Sequence, residues 1–360
     1  MTRQISNIKS QEFGLSKYDS LIDNFDPGCK SSEIKITYQR LKTKLPDLMN
    51  KIIKKQSGLK ILPFKEKIDE QTQKAIGIKI MEKMSFNFDY GRLDKSTHPF
   101  CIGSNDDVRI TTRYDEKNFL NSLYGIIHET GHALYQQNLP AEFRDQPIGS
   151  YLGMSFHESQ SLIMEMQACC TKEFCHFLAK LLRDDFNFQA VEYDEENLYN
   201  HLTKISPGFI RVNADEVTYP FHVILRFEIE QEINDNNLQA KDLPRIWQDK
   251  MVEYFGLIPK NDANGCLQDI HWPSGMIGYF PSYTNGAIIA SMIMKKAKSQ
   301  SKVKSEIKSG NFSPLNDFLN KNLRSYGCIY DRAELLHRST GAKEINADVF
   351  LEYLEEKYLA

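Results

Sequence analysis

The sequence predicts one mainly α domain, a single large helical body with a small β element, spanning residues 1–360. Three observations predict it. Apolar residues recur at spacings of three and four along most of the chain, the period of a helix with one buried face. Strand signals are few. No internal repeat or low-complexity block divides the chain; the polar stretch 298–313 comes nearest to a linker, and too little chain follows it for a second domain.

The elements follow in order. Ile34, Tyr38, Leu41, Leu45 and Leu48, with Lys and Arg between them, draw an apolar stripe on a first helix, which Pro46 is expected to kink or restart. Val108-Arg-Ile-Thr-Thr-Arg-Tyr114 is β-branched and roughly alternating, the best of the strand signals. A second helix is expected to open near Asp115, with Glu116 in its first turn. Phe119, Leu120, Leu123, Ile126, Ile127 and Leu134 give it a broad apolar face, and Pro140 follows its end. A third helix is expected from Ser155 to Leu182, with Ser155 and Glu158 spaced as a capping box. A fourth is expected from Asp215 to Asp235, kinked or restarted at Pro220, and residues 346–358 read as a capped terminal helix.

Composition narrows the function classes. Hydrophobic residues make up 41% and charged residues 26%, as in an ordinary globule, which excludes a disordered tail or a fibrous repeat. With 45 Lys and Arg against 48 Asp and Glu, the net charge is -3, so the basic excess of a nucleic-acid binder is missing. Seven cysteines, an odd number scattered over a long chain, favour reduced thiols and a cytoplasmic setting. The opening MTRQISNIKS has no apolar core of a signal peptide. The longest apolar runs, such as Ile288 to Met294, are far too short for a bilayer, so no membrane partner is expected.

The sharpest chemical signal is His128-Glu129-Thr130-Gly131-His132 inside the second helix. Residues four apart share a helical face, so His128 and His132 can present two imidazole nitrogens to one metal ion. Glu129, one position on, can face a water in the ion's shell as a general base. Ile126 and Ile127 before the motif and Ala133 and Leu134 after it show that the segment is not a freely solvated face. Catalytic zinc takes three protein ligands and keeps one position open, so a third ligand is needed. His157, Glu158 and Glu165 all lie within reach of the next helix, and spacing alone leaves the three open. The group Cys169, Cys170, Cys175 and His176 fits none of the usual zinc spacings and reads as buried thiols.

The motifs also occur in an order. Gly91-Arg-Leu-Asp94 leads into His98-Pro99-Phe100, and Asp107-Val-Arg109-Ile-Thr111 precedes the HETGH helix. His157-Glu158-Ser159-Gln160 comes next, then Ile210-Arg211-Val-Asn-Ala214-Asp215. Gly265-Cys-Leu-Gln268-Asp269-Ile-His271-Trp272 and Gly278-Tyr-Phe-Pro-Ser-Tyr283 complete the set. In this series the chain resembles the carboxypeptidase Taq type of zinc metallocarboxypeptidase over nearly its whole length, although members of that family look longer at the N-terminus.

The resemblance implies a single metal ion per chain, Zn2+ with Co2+ or Mn2+ as substitutes, held by His128, His132 and Glu158. It implies hydrolysis of peptides with a free C-terminus, one residue at a time, with Glu129 as the general base. Tyr283 and then His271 become candidate donors to the oxyanion. Arg211 or Arg109 becomes the clamp for the terminal carboxylate, because a guanidinium fork pairs bidentately with a carboxylate. The residues also allow structural roles: Arg211 is spaced to pair with Asp215, and Arg109 with Asp107. His98, Asp107 and Asp269 read as groove-shaping groups. The family association also suggests a homodimer. Endopeptidase or dipeptidyl carboxypeptidase activity on the same scaffold, or a non-catalytic homologue, are the competing expectations.

Overall fold

In the computed structural model, which describes residues 1–235, 238–300 and 302–360, helices form nearly all of the body. The long ones are α1 (Thr2–Phe13), α2 (Ser31–Gln56), α3 (Glu70–Lys83), α4 (Phe119–Gln137), α5 (Met154–Leu162), α6 (Lys172–Phe186) and α7 (Glu195–Leu202). After them come α8 (Tyr219–Asp235), α9 (Leu243–Phe255), α10 (Pro281–Gln300), α11 (Ser313–Asn322), α12 (Arg332–Thr340) and α13 (Ala347–Leu359). A three-stranded sheet, β1 (Gly91–Lys95), β2 (Phe100–Ser104) and β3 (Asp107–Thr112), lies between α3 and α4 in sequence.

The sheet has the order β1-β3-β2, parallel between β1 and β3 and antiparallel between β2 and β3. Leu93 and Cys101 flank Ile110 in register. Because side chains alternate along a strand, Val108 and Ile110 turn inward, where they pack with Ile126 and Ala133 of α4. Asp107 and Arg109 turn outward. Leu123, Ile127 and Leu134 of α4 join the main helical core with α5, α6, α10 and α11. Helix α4 is thus covered on two sides, which accounts for the absence of Asp, Glu, Lys and Arg along it apart from the motif. A second core joins α2, α8 and α13. Helix α10 separates the two, with Ile289 and Ile293 in the first and Ile288 and Met292 in the second.

Several boundaries differ from the sequence expectations, each for a local reason. Helix α4 begins at Phe119 rather than near Asp115, because Asp115 spends its carboxylate on the amide of Lys117 in a preceding turn, at 2.9 Å. Pro46 sits inside α2 without interrupting it; the buried stripe of Leu41, Leu45 and Leu48 supplies packing that offsets one missing backbone bond. The expected third helix is two. Helix α5 passes into a π-helical turn, Ile163–Cys169, the chain breaks at Cys170, and α6 starts afresh with Thr171 accepting from the amide of Phe174. Helix α8 begins one residue before Pro220, so the proline occupies a first turn where its missing N–H costs nothing. Asp215 instead caps the turn before it, accepting from the amides of Val217 and Thr218. The stretch 298–313 is no linker over its described residues: Val303 and Ile307 are buried, and Gly310 lies against the ring of Phe177. The terminal helix is capped as expected, by Asn346 accepting from the amide of Asp348.

Candidate metal centre and active site

Helix α4 presents His128 and His132 on one face, and α5 crosses it so that Glu158 points at both. Glycines make this approach possible. A β-carbon on Gly131 would stand 2.5 Å from the carbonyl oxygen of Gln160, and one on Gly286 of α10 would stand 2.8 Å from Cβ of Glu158. Glu158 is therefore gripped between α4 and α10. Its carboxylate lies 3.8 Å from Nε2 of His128 and 3.5 Å from Nε2 of His132. Ligand atoms of all three residues fall within 4.8 Å of one another, and no other group of His, Cys, Asp or Glu among the described residues does this.

The capping-box explanation of Glu158 does not hold. Helix α5 opens at Gly153, not Ser155, and the Ser155 hydroxyl donates to Asp26 at 2.5 Å. The two rival ligands lie elsewhere. Glu165 accepts from Nδ1 of His128 at 2.7 Å, on the ring edge opposite the cluster. His157 stacks on His132, with ring centroids 4.4 Å apart and planes 18° apart. Burial, followed by the neighbouring His132 and His128, drives the His157 pKa well below the usual imidazole range. Cys169, Cys170 and Cys175 are buried thiols, and His176 pairs with Glu195 at the surface.

The electrostatics suit a cation. Burial opposes a charged ring at His128, yet Glu165, Glu158 and Glu129 together push it up to about 10. Burial would raise Glu158, but its hydrogen bond to His132 and the charges of His128, His132 and Arg211 outweigh that and lower it. Three carboxylates around two imidazoles form a pocket that holds positive charge, and a divalent ion would take the place of the proton. Two imidazoles and one carboxylate are a donor set that fits zinc and tolerates other divalent ions. Glu129 is buried at 8% exposure beside this cluster, and burial raises its pKa against the opposing His128 and His132.

The wall beyond Glu158 comes from the later motifs. Arg211, 5% exposed, donates from Nε and Nη2 to one oxygen of Asp269, at 3.0 and 2.8 Å, and from Nη1 to the hydroxyl of Tyr219. It does not pair with Asp215. The other oxygen of Asp269 takes the fully buried Arg226, at 2.7 Å from Nε. Two guanidinium groups thus share one carboxylate, and despite burial Asp269 is held below the usual range by Arg226 and Arg211. The Arg211 guanidinium also lies 4.8 Å from the ring centre of Tyr283. Tyr283 and Nε2 of His271 share a hydrogen bond of 3.0 Å. Burial and then Arg211 bring His271 down to about 4, so its ring is neutral, and burial raises Tyr283, keeping its hydroxyl protonated. Glu230 pins this segment, accepting from Tyr18, Trp272 and the amide of Gly278.

Arg109 is placed differently. It pairs with Asp107 at 2.9 Å on the sheet face turned away from α4, with half of its side chain exposed. His98 is exposed in the connection from β1 to β2, and its carbonyl accepts from Thr111. Sequence reasoning missed Tyr219, Tyr279 and Arg226. In sequence the two tyrosines read as core aromatics and Arg226 as one of many surface cations; only the fold buries Arg226 on Asp269, brings Tyr219 to Arg211 and sets Tyr279 near Glu158.

A helical body, two histidines and a glutamate converging from crossed helices, and an adjacent buried glutamate define a metallopeptidase of the HExxH class. Within it, the chain belongs to the carboxypeptidase Taq (M32) metallopeptidase family, whose family model matches residues 1–358. It is similar to thermostable carboxypeptidase 1 of Pyrococcus furiosus, with 34% identity over 348 residues, covering 95% of this chain and 69% of that protein. Carboxypeptidase 1 of Bacillus subtilis is 33% identical over 343 residues, covering 95% and 68%. Among solved structures, metallocarboxypeptidase 1 of Trypanosoma cruzi superposes with a TM-score of 0.96 at 37% identity, over 100% of this chain and 75% of that one. The M32 carboxypeptidase of Deinococcus radiodurans gives 0.91 at 31% identity, over 99% and 73%. The chain is accordingly a peptide hydrolase of the metal-dependent carboxypeptidase class.

Proposed function

We propose that the protein is a zinc carboxypeptidase that releases single residues from the free C-terminus of peptides, with His128, His132 and Glu158 holding the ion. The observation that carries this reading is the convergence of Glu158 on both histidines beside buried Glu129. A divalent ion there would polarise a carbonyl and lower the pKa of water. Glu129 takes the proton of the attacking water and later delivers it to the departing amine. Its raised pKa suits both directions of transfer. Tyr283 donates its hydroxyl to the oxygen on which negative charge develops, with neutral His271 fixing the phenol.

Arg211 clamps the terminal carboxylate. Its buried position, where its charge acts on Glu158, supports this over Arg109, which lies half-exposed on the sheet face turned away from α4. Asp269, anchored by Arg226, holds the Arg211 side chain in place. Seven unpaired cysteines support a reducing, cytoplasmic setting, and no described helix is long and apolar enough to cross a membrane. The family association supports a homodimer, which light scattering would test.

The experiment is metal analysis alongside amino-acid release from a peptide with a free C-terminus, with and without chelator. One zinc per chain and chelator-sensitive release of the last residue are expected. Cleavage of a C-terminally amidated peptide at the same rate would instead make the protein an endopeptidase, and release of dipeptides would move the carboxylate clamp one residue along.

A further inference from the structure

We propose that Glu165 is a positioning residue for the metal site, acting through His128, and that the π-helical turn Ile163–Cys169 exists to hold it there. Glu165 follows Glu158 by seven residues, so both carboxylates lie on nearly one helical face. They meet opposite edges of the same imidazole. Glu158 stands 3.8 Å from Nε2 and Glu165 stands 2.7 Å from Nδ1. With Nδ1 donating to Glu165, the proton is fixed on that nitrogen, and the lone pair of Nε2 is aimed at the cluster. His132 has no such partner: its Nδ1 is buried without a hydrogen bond, and on that ring the stacked His157 takes the place of an acceptor. The tautomer of the site is therefore set from one side.

The backbone under Glu165 is built for this purpose. A π turn shifts the hydrogen-bond ladder and leaves carbonyl groups that need other donors. Two such carbonyls are answered from outside the helix. Tyr124 donates to the carbonyl of Cys169 at 2.6 Å, and Tyr353 and Lys357 of α13 donate to that of Met166 at 3.1 and 3.2 Å. Tyr124 lies one turn before His128 on the same helix. The metal helix therefore grips the π turn at Tyr124 and is gripped by it at His128, which closes a ring of contacts around Glu165.

The inference rests on the metal reading above, and the test separates the two. Zinc dissociation constants would be measured by competition with a chromophoric chelator for the parent and for Glu165→Ala, Glu165→Gln and Glu158→Ala, with thermal melts of each apo-protein and visible spectra of each cobalt form. Glu165→Ala should bind zinc about 10- to 100-fold more weakly, the usual loss when the partner of a ligating histidine is removed. Glu165→Gln, whose amide oxygen still accepts from Nδ1, should recover part of that loss. The cobalt spectrum should shift in intensity while remaining that of a three-ligand site. Unchanged affinity in Glu165→Ala overturns the proposal. So does complete loss of metal equal to that of Glu158→Ala, which would make Glu165 a ligand. A fall in apo-protein melting that accounts for the whole affinity loss would make it structural, and overturns it too. If the parent protein itself binds no metal, the metal reading has failed and not Glu165 alone.

Discussion

Gly131 of α4 lies directly against the backbone of Gln160 in α5, the two helices that build the metal site. A β-carbon on Gly131 would stand 2.5 Å from the carbonyl oxygen of Gln160 and 2.5 Å from Cα of Ser161, both of them backbone atoms that cannot swing aside. The glycine of the motif is thus a spacing device, since its absent side chain lets α5 bring Glu158 within reach of both histidines. Gly131→Ala should push the helices apart, costing about 1–3 kcal/mol of stability as overpacking does. Zinc affinity should fall with it. Equal zinc affinity in calorimetric titrations of parent and variant would mean that the site tolerates a wider crossing.

Glu129 is expected to be dispensable for metal binding and indispensable for turnover. It is outside the cluster of ligand atoms formed by His128, His132 and Glu158, and it is buried beside them. Glu129→Gln should retain one zinc per chain while kcat falls roughly a hundred- to ten-thousand-fold, the contribution of a positioned base. Loss of zinc with unchanged activity per bound ion would reverse the assignment.

Much of this site is legible in the sequence because its chemistry is local. His128 and His132 are one helical turn apart, and their facing follows from the period of the helix alone. The strand signal at residues 108–114 is legible too, since Val108 and Ile110 alternate with outward residues as β3 requires. What is not legible is set by distant contacts. Strands β1 and β2 are five residues each, the first mostly polar and the second with Phe100 and Ile102 exposed rather than buried, and both pair with β3, which offers them edges on both sides. The break between α5 and α6 depends on donors from α4 and α13, more than thirty residues away from the π turn in sequence. Ser155 and Glu158 have the spacing of a capping box, yet Asp26 claims the serine and the histidines claim the glutamate. Arg211 shows the same effect: a residue at i+4 looked like its partner, and the fold supplied Asp269 instead.

That pairing sharpens the test of the carboxylate clamp. Arg211→Ala leaves Asp269 with its second guanidinium, Arg226, so no buried carboxylate is stranded and the fold should survive. For peptides with a free C-terminus the variant should show a raised KM and also a lowered kcat, because a clamp sets the register of the scissile bond. Amidated peptides should be poor substrates of the parent and little affected by the change. Arg211→Lys should recover only part of the activity, since a point charge replaces a planar fork. Arg109→Ala should leave all four parameters near those of the parent. An equal penalty on acid and amide peptides would assign Arg211 to structure.

The pH dependence of stability should carry the mark of a buried histidine remote from the ligands. His222 of α8 is fully buried against Phe255, with ring centroids 4.4 Å apart. Burial, then the charges of Arg226 and Arg211, bring it down to about 3, with Asp269 opposing weakly. Its folded pKa is depressed below that of the unfolded chain. The neutral ring therefore contributes fully above about pH 6.5, and the contribution is lost as pH falls towards 3, because the unfolded chain takes up the proton first. Replacement by a ring that does not titrate removes this slope. His222→Phe should thus gain on the parent by about 2 kcal/mol between pH 7 and pH 5, at about 1.4 kcal/mol per pKa unit. Comparing each protein with itself at the two pH values cancels any packing difference between the rings. Denaturant unfolding of both proteins at pH 7 and pH 5 measures the effect, and parallel losses of stability would show that His222 takes up its proton inside the folded protein.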